Sequence, residues 1–360
     1  MAANSAPGRP GRAGLVGTGL IGGSIGLALR ANGWHVTGTD QDPSRAERAR
    51  QLGALDDIGV DPAADLTFVA TPVAAVPEAV LAALAAGPGV VTDVAGVKAA
   101  VVDGIDDARF VGGHPMAGSE QLGVDGATPD LFEGAVWVLT PVAGTEPDAY
   151  ALVRSVVSSL GAEVLALAPD RHDDLVAVMS HVPHLTAASL MRLADQRAAD
   201  NAPLLRLAAG GFRDMTRIAA GSPAIWPDVC AENRVAIVEV LDQLLRTLGE
   251  VRDAVAKSDR AEVLATLEQA QLARRNLPGR TARPENLAEL RVPVLDRLGV
   301  LAEVTTLATE TAANIFDLEI AHSSEGDRGV LIALVEADAA EGLRSALVDR
   351  GYRPSVRPLG

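Results

Sequence analysis

The sequence predicts an α/β protein, with a mainly parallel sheet first, an all-helical segment next and a smaller sheet-and-helix unit last. Three observations carry that prediction. From residue 13 to about 141, short apolar runs alternate with longer amphipathic ones, which is the rhythm of β-α-β units. Strand signals then thin out as far as about residue 277. After Trp226, apolar residues at Ile237, Val238, Leu241, Leu244, Leu245, Leu248, Val251 and Val255 fall on one face of a long helix. Past Pro278, Gly279 and Pro284 the pattern strand, helix, strand, strand, helix, strand fills the rest of the chain, the order of a ferredoxin-like unit.

The elements follow in order. Residues 1–12 are small, polar and rich in Gly and Pro and read as a flexible tail. Strands are expected at 13–16, 35–39, 66–70, 90–92, 110–112 and 135–139, within a nucleotide-binding domain spanning 13–144. An all-helical substrate and dimerisation domain follows at 145–277, then a linker at 278–288. In the last unit, 289–360, strands are expected at 290–294, 315–321, 329–335 and 352–356, helices at 299–312 and 339–350, and a polar turn at 323–328.

With 360 residues the chain has room for two to three domains. Lys and Arg total 31 against 47 Asp and Glu, and the net charge of −16 argues against nucleic acid or an anionic membrane as partner. An anionic ligand must therefore be held by local cations. Cys230 is the one cysteine, so neither a disulfide framework nor a cysteine-rich metal site is expected, which suits a reducing cytoplasm. The longest uncharged run, 13–29, is glycine-broken and short for a membrane span.

Gly17-Thr18-Gly19-Leu20-Ile21-Gly22 follows an apolar strand and opens an apolar helix, the context of a Rossmann dinucleotide turn. Glycines there permit a tight turn and a close backbone approach to pyrophosphate, which the helix N-terminus receives. The next strand ends at Asp40, whose carboxylate suits the ribose hydroxyls and repels a 2′-phosphate, favouring NAD over NADP. Thr71 and Pro72 end another buried strand, as a cofactor-facing loop or as plain turn chemistry.

His114-Pro115-Met116-Ala117-Gly118-Ser119-Glu120 lies past a strand end, at the edge where ligands sit in open α/β sheets. A neutral imidazole there is suited to accept a proton from an alcohol, with a rate rising through the histidine range of about 6 to 7.5. In the helical region, His172-Asp173 precede Ser180-His181-Val182-Pro183-His184. A spacing of three puts His181 and His184 on one helix face if the helix survives Pro183, which removes a hydrogen bond. No third ligand stands at a recognisable spacing, so no metal is expected. Gly210-Gly211-Phe212-Arg213-Asp214-Met215-Thr216-Arg217 then offers two arginines, either as bidentate donors for a carboxylate or as a solvated residue and an internal ion pair with Asp214.

Together these motifs, with Asp93-Val94-Ala95-Gly96-Val97-Lys98 between them, resemble the prephenate dehydrogenase family over nearly the whole chain. The C-terminal unit, with 294–301 followed by Asn314-Ile315, resembles an ACT domain. The resemblance implies that His114 accepts the hydroxyl proton, that Arg217 holds the ring carboxylate and that His184 lines the substrate pocket. Asp214 and Asp173 orient these histidines, and Trp226 matches an apolar pocket-wall residue. Arg213, Ser119, Glu120, His181 and Lys98 complete the expected site. The family's motif has a serine where this chain has Gly96, a hydroxyl taken to contact the histidine and the substrate. Water or Ser119 substitutes for it, or the substrate carries a different ring substituent, such as an amine. In the ACT-like unit an amino acid, tyrosine first, is expected at Gly299, Val300 and Leu301 and at Asn314 and Ile315.

The reading is thus an NAD-dependent prephenate dehydrogenase, homodimeric and feedback-regulated, for tyrosine synthesis. Arogenate and 4-amino-4-deoxyprephenate are the alternative substrates. A 3-hydroxyacid dehydrogenase and a catalytically silent amino-acid sensor rank behind them.

Overall fold

The structure, a computed structural model, describes residues 11–118, 121, 123–198, 203–276, 287–295, 297, 299–322 and 328–358. Ser119 and Glu120, the tail to residue 10, most of the linker and the turn at 323–327 lie outside them. The chain divides into two compact units, Met1–Thr247 and Leu248–Gly360.

The first unit is built on an eight-stranded sheet: β1 (Arg12–Val16), β2 (His35–Thr39), β3 (Asp57–Ile58), β4 (Leu66–Val69), β5 (Val90–Asp93), β6 (Phe110–Pro115), β7 (Val136–Thr140) and β8 (Glu163–Ala166). Their spatial order is β3-β2-β1-β4-β5-β6-β7-β8. All neighbours are parallel except β6 and β7, which pair antiparallel with His114 opposite Val138. The chain departs from β1 toward β2 on one side and β4 on the other, so the end of β1 is the topological switch point where open α/β sheets bind ligands. Phe68, Trp137 and Phe132 form the buried centre, their rings meeting Trp137 at 6.3 and 5.0 Å. Helices Pro43–Gln51, Pro147–Ser159 and Pro169–Val176 each start on proline, whose fixed φ suits a first turn and whose missing N–H costs nothing there.

Three expectations are corrected. Arg12 belongs to β1 and not to the tail, with its backbone N–H bonded to Asp65 (2.8 Å) and its guanidinium to Asp61 (2.7 Å). The segment 145–277 is not all helical: β8 adds to the sheet beside β7, and the Pro147–Ser159 helix packs against β5, β6 and β8. The sequence hides β8 because it is an edge strand, mostly exposed, with no apolar alternation to betray it. Leu287 and Ala288, assigned to the linker, open the first strand of the second unit.

That second unit holds the end of helix Arg234–Ala256, helix Arg260–Arg275, and then β9 (Leu287–Leu295), helix Val300–Glu310, β10 (Ile315–His322), β11 (Arg328–Glu336), helix Ala337–Asp349 and β12 (Ser355–Pro358). The sheet order β10-β11-β9-β12, antiparallel throughout, is the connectivity of a ferredoxin-like unit. Alternate residues Leu290, Val292 and Val294 of β9 are buried with Leu331, Ala333 and Val335 of β11 against Val304, Leu307, Leu343 and Leu347 of the helices. Gly299 caps the first helix in the left-handed conformation (φ 90°), with Val300 buried behind it and Leu301 exposed. Asn314 is exposed just ahead of Ile315, the first residue of β10. The last strand starts later than expected. Gly351 (φ 89°) ends the preceding helix and folds Tyr352 back so that its hydroxyl donates to Glu303 Oε2 (2.7 Å). Among the described residues no helix is long and apolar enough to cross a membrane.

Candidate active site

At the end of β1, Gly17 takes a positive φ of 94°, and a Cβ there would lie 2.5 Å from the Ala70 carbonyl oxygen. At Gly22 a Cβ would lie 2.1 Å from the Gly17 oxygen. Only glycine fits either place. Around Gly19, by contrast, the space is open, and no side chain caps the helix that it precedes, Leu20–Ala31. The first-turn N–H groups of Leu20 and Ile21 are thus presented to an incoming anion. Beside the turn, the Thr71 hydroxyl, next to Pro72, is buried with no hydrogen-bond partner among the described residues. An orphaned buried hydroxyl and an uncapped helix start fit a phosphate-bearing ligand. Asp40 does more than the sequence reading gave it: Oδ2 accepts from Thr18 N (2.8 Å) and Thr18 Oγ1 (3.1 Å), bracing the glycine turn, and Oδ1 accepts from Asp42 N (3.0 Å).

His114 sits near the end of β6. Its Nδ1 lies 2.8 Å from His172 Nε2, and His172 Nδ1 lies 2.7 Å from Asp173 Oδ1. Asp173 also accepts from the backbone N–H of Lys98 (2.8 Å) and Ala99 (2.9 Å), where helix Ala99–Asp103 begins. The other edge of the imidazole faces Gly96, where a Cβ would stand 3.6 Å from His114 Nε2. Asp93 and Lys98 form an ion pair with both side chains fully buried. Asp93 also accepts from Ala95 N (2.9 Å) and Gly113 N (3.0 Å), tying the loop after β5 to β6. Burial, with the neighbouring His172, Lys98 and His181, holds the His114 imidazolium well below the ordinary histidine range.

A second set of residues adjoins this one. Pro183 does not end the helix: it stands in the first turn of Val182–Ala198. Between helices Pro169–Val176 and Val182–Ala198 the chain makes a π turn, Ala177–His181, a wider winding found where the regular hydrogen-bond ladder is broken. That turn buries His181, whose pKa falls to about 4, chiefly through desolvation. Asn233, itself buried, donates to the Asp173 carbonyl (2.9 Å) and lies 3.2 Å from His181 Nδ1, linking the two sets. His184 stacks on Trp226 with ring centroids 3.8 Å apart, and His181 meets the same indole edge-on at 6.1 Å. Burial also lowers the pKa of His184. Arg217 begins the turn Arg217–Ala220, which packs on the His184 helix, and a Cβ at Gly221 would come within 3.9 Å of the His184 ring.

Two expected residues are placed differently. Arg213 is exposed and donates to the Ala208 carbonyl oxygen (3.1 Å), closing its own helix start. Asp214 is exposed and bonds no histidine among the described residues. The carboxylate in contact with these imidazoles is Asp173, which meets His172. His172, Asn233 and Asp93 carry parts that the sequence reading did not assign. Adjacency to Asp173 is the signal that could have singled out His172. Asn233 stands in no motif.

A glycine cradle at the end of β1, the sheet's switch point, with a buried imidazole near the end of β6 at the same edge of the sheet, defines a nucleotide-dependent oxidoreductase. The chain belongs to the prephenate dehydrogenase family. Residues 25–166 match the family model "Prephenate dehydrogenase, nucleotide-binding domain" and 168–269 match "Prephenate dehydrogenase, dimerization domain". It is 36% identical to prephenate dehydrogenase of Bacillus subtilis (strain 168), covering 90% of this chain and 92% of that one. It is 32% identical to the cyclohexadienyl dehydrogenase of Zymomonas mobilis, covering 72% and 94%. Among solved structures, the A. aeolicus prephenate dehydrogenase in complex with hydroxyphenyl propionate and NAD+ superposes with a TM-score of 0.70 at 28% identity, over 76% of this chain and all (100%) of that one. The Synechocystis arogenate dehydrogenase gives 0.64 at 31% identity, over 73% and 98%.

Proposed function

We propose that this enzyme uses NAD to convert prephenate oxidatively to 4-hydroxyphenylpyruvate and CO2. The observation that carries the proposal is the placing of His114, held from behind by His172 with its free edge over Gly96, at the same edge of the sheet as the glycine cradle. NAD, when bound there, supplies the acceptor for a hydride from the ring carbon bearing the 4-hydroxyl. Gly17, Gly19 and Gly22 let the backbone approach the pyrophosphate, and Asp40 serves the ribose. His114 accepts the hydroxyl proton, and loss of the ring carboxylate as CO2 then aromatises the product. His184 and Trp226 wall the ring's pocket, and Arg217 holds a substrate carboxylate. Ser119, Glu120 and Arg213 stand near enough in sequence to these groups to assist binding.

Gly96 leaves the substrate's 4-position without a side-chain hydroxyl from this loop, so discrimination among prephenate, arogenate and 4-amino-4-deoxyprephenate rests on other groups. Following NADH absorbance with the three in parallel tests the assignment, with the highest kcat/KM expected for prephenate. A preference for the amine would move the reading to that substrate.

Arg217→Ala is expected to raise KM for prephenate roughly 10- to 100-fold, the ~1.5–3 kcal/mol of a charged hydrogen bond. Long-range repulsion from the net charge of −16 is screened by salt, so affinity depends on local cations. An unchanged KM would assign the contact to another group, Arg213 first.

The ferredoxin-like unit is read as an ACT-like regulatory module whose effector, tyrosine first, sits at Gly299–Leu301 and Asn314–Ile315. The left-handed Gly299 and the helix start behind it support that reading. A chain ending at Thr281 is expected to keep dehydrogenase activity and lose inhibition by tyrosine. Inhibition that survives truncation would place the effector elsewhere. The same reading includes a homodimer, supported by exposed leucines along the two long helices, Leu245, Leu248, Leu264, Leu267 and Leu272, each more than half exposed in the isolated chain.

A further inference from the structure

We infer that His172 is a positioning residue that fixes the tautomer of His114, keeping Nδ1 protonated and Nε2 bare toward the substrate. The inference rests on the proposed role of His114 as proton acceptor. Backbone N–H groups only donate, and those of Lys98 and Ala99 occupy both carboxylate oxygens. An ionised carboxylate only accepts, so the third contact, at 2.7 Å, requires a proton on His172 Nδ1. A neutral His172 then has Nε2 as an acceptor. The 2.8 Å contact to His114 Nδ1 is satisfied only if that nitrogen carries the proton.

The remaining lone pair of His114 is on Nε2, over Gly96. No described residue hydrogen-bonds to Nε2, and glycine supplies no side chain to bias it. In this chain, therefore, the tautomer is set from behind.

His172 is fully buried. The titratable groups facing His114 are Lys98 on the loop after β5, His172 with Asp173 on the helix Pro169–Val176, and His181 on the π turn. The lowered pKa of His114 agrees with that setting. When His114 takes the substrate's proton at Nε2, the bond from Nδ1 to His172 strengthens. Asp173, two bonds away, offsets the new positive charge.

The test has two arms. Long-range 1H–15N spectra of the full chain labelled with 15N-histidine resolve the six histidines, and the signal lost in His114→Asn identifies His114. At neutral pH, His114 is expected to be protonated on Nδ1. Protonation on Nε2 would overturn the inference whatever the activity of any variant.

In the kinetic arm, His172→Leu is expected to lower kcat by roughly 10²- to 10⁴-fold, with KM for prephenate and NAD within about threefold. His172→Gln offers Oε1 where Nε2 was and should recover turnover to within roughly tenfold of wild type. Equal losses in the Leu and Gln variants, or near-normal turnover in His172→Leu, would contradict the positioning role. Near-normal turnover in His114→Asn would instead overturn the base role beneath it, so the two failures are distinguishable. Should His172→Leu fail to fold, the wild-type spectrum decides.

Discussion

His114→Asn is expected to lower kcat by at least ~10²-fold, the scale of a lost general base, while KM for prephenate stays nearly constant. Asparagine can keep a donor toward His172 but has no basic nitrogen to offer the substrate hydroxyl. The wild-type pH profile belongs to the same prediction. Only the neutral imidazole accepts a proton, and burial together with the cation of Lys98 stabilises that form. Activity should therefore stay level as pH falls through the ordinary histidine value of ~6.5 and decline only below it. A limb centred at or above that value, on kcat/KM for prephenate, would show that His114 is not held as the structure holds it.

Lys98→Met should destabilise the fold by about 3–5 kcal/mol, because it leaves the Asp93 carboxylate buried without its cation. Both side chains are fully buried, and Asp93 cannot turn to water. Its other bonds, to Ala95 N and Gly113 N, tie the loop after β5 to the strand that carries His114. Denaturant unfolding of the purified variant measures the loss. Adding Asp93→Asn should recover part of it by removing the stranded charge. In any Lys98→Met protein that folds, the acid limb should move up toward the ordinary histidine range, since one of the cations opposing protonation of His114 has gone. Stability within about 1 kcal/mol of wild type would contradict this account of the pair.

Much of the first unit was legible because its information is local. The glycine turn, the strand before it and Asp40 after the next strand lie within a single β-α-β unit, where spacing translates directly into geometry. The alternation of β9 was equally plain, and with it the order of elements in the C-terminal unit. Three things were not legible, each for a physical reason. β8 is an exposed edge strand without an apolar pattern. The relay behind His114 joins residues 58 positions apart, and its middle member, His172, depends on a helix packing against the loop after β5. Asn233 bridges residues 60 and 52 positions away, across helices that no motif connects. Pro183 shows the reverse case. Its residue type foretold a disturbed helix, and the disturbance is a π turn that ends at His181, two residues ahead of it.

The central claim is that His114 takes a proton from prephenate while a hydride passes to NAD and the ring carboxylate departs. Its most direct test is stoichiometry with purified full-length protein, prephenate and NAD, with NADH read by absorbance and CO2 trapped in the same reaction. The account predicts one CO2 for each NADH, with 4-hydroxyphenylpyruvate as the product and both signals lost together in His114→Asn. NADH without CO2, or no NADH from prephenate, arogenate or 4-amino-4-deoxyprephenate, would contradict it.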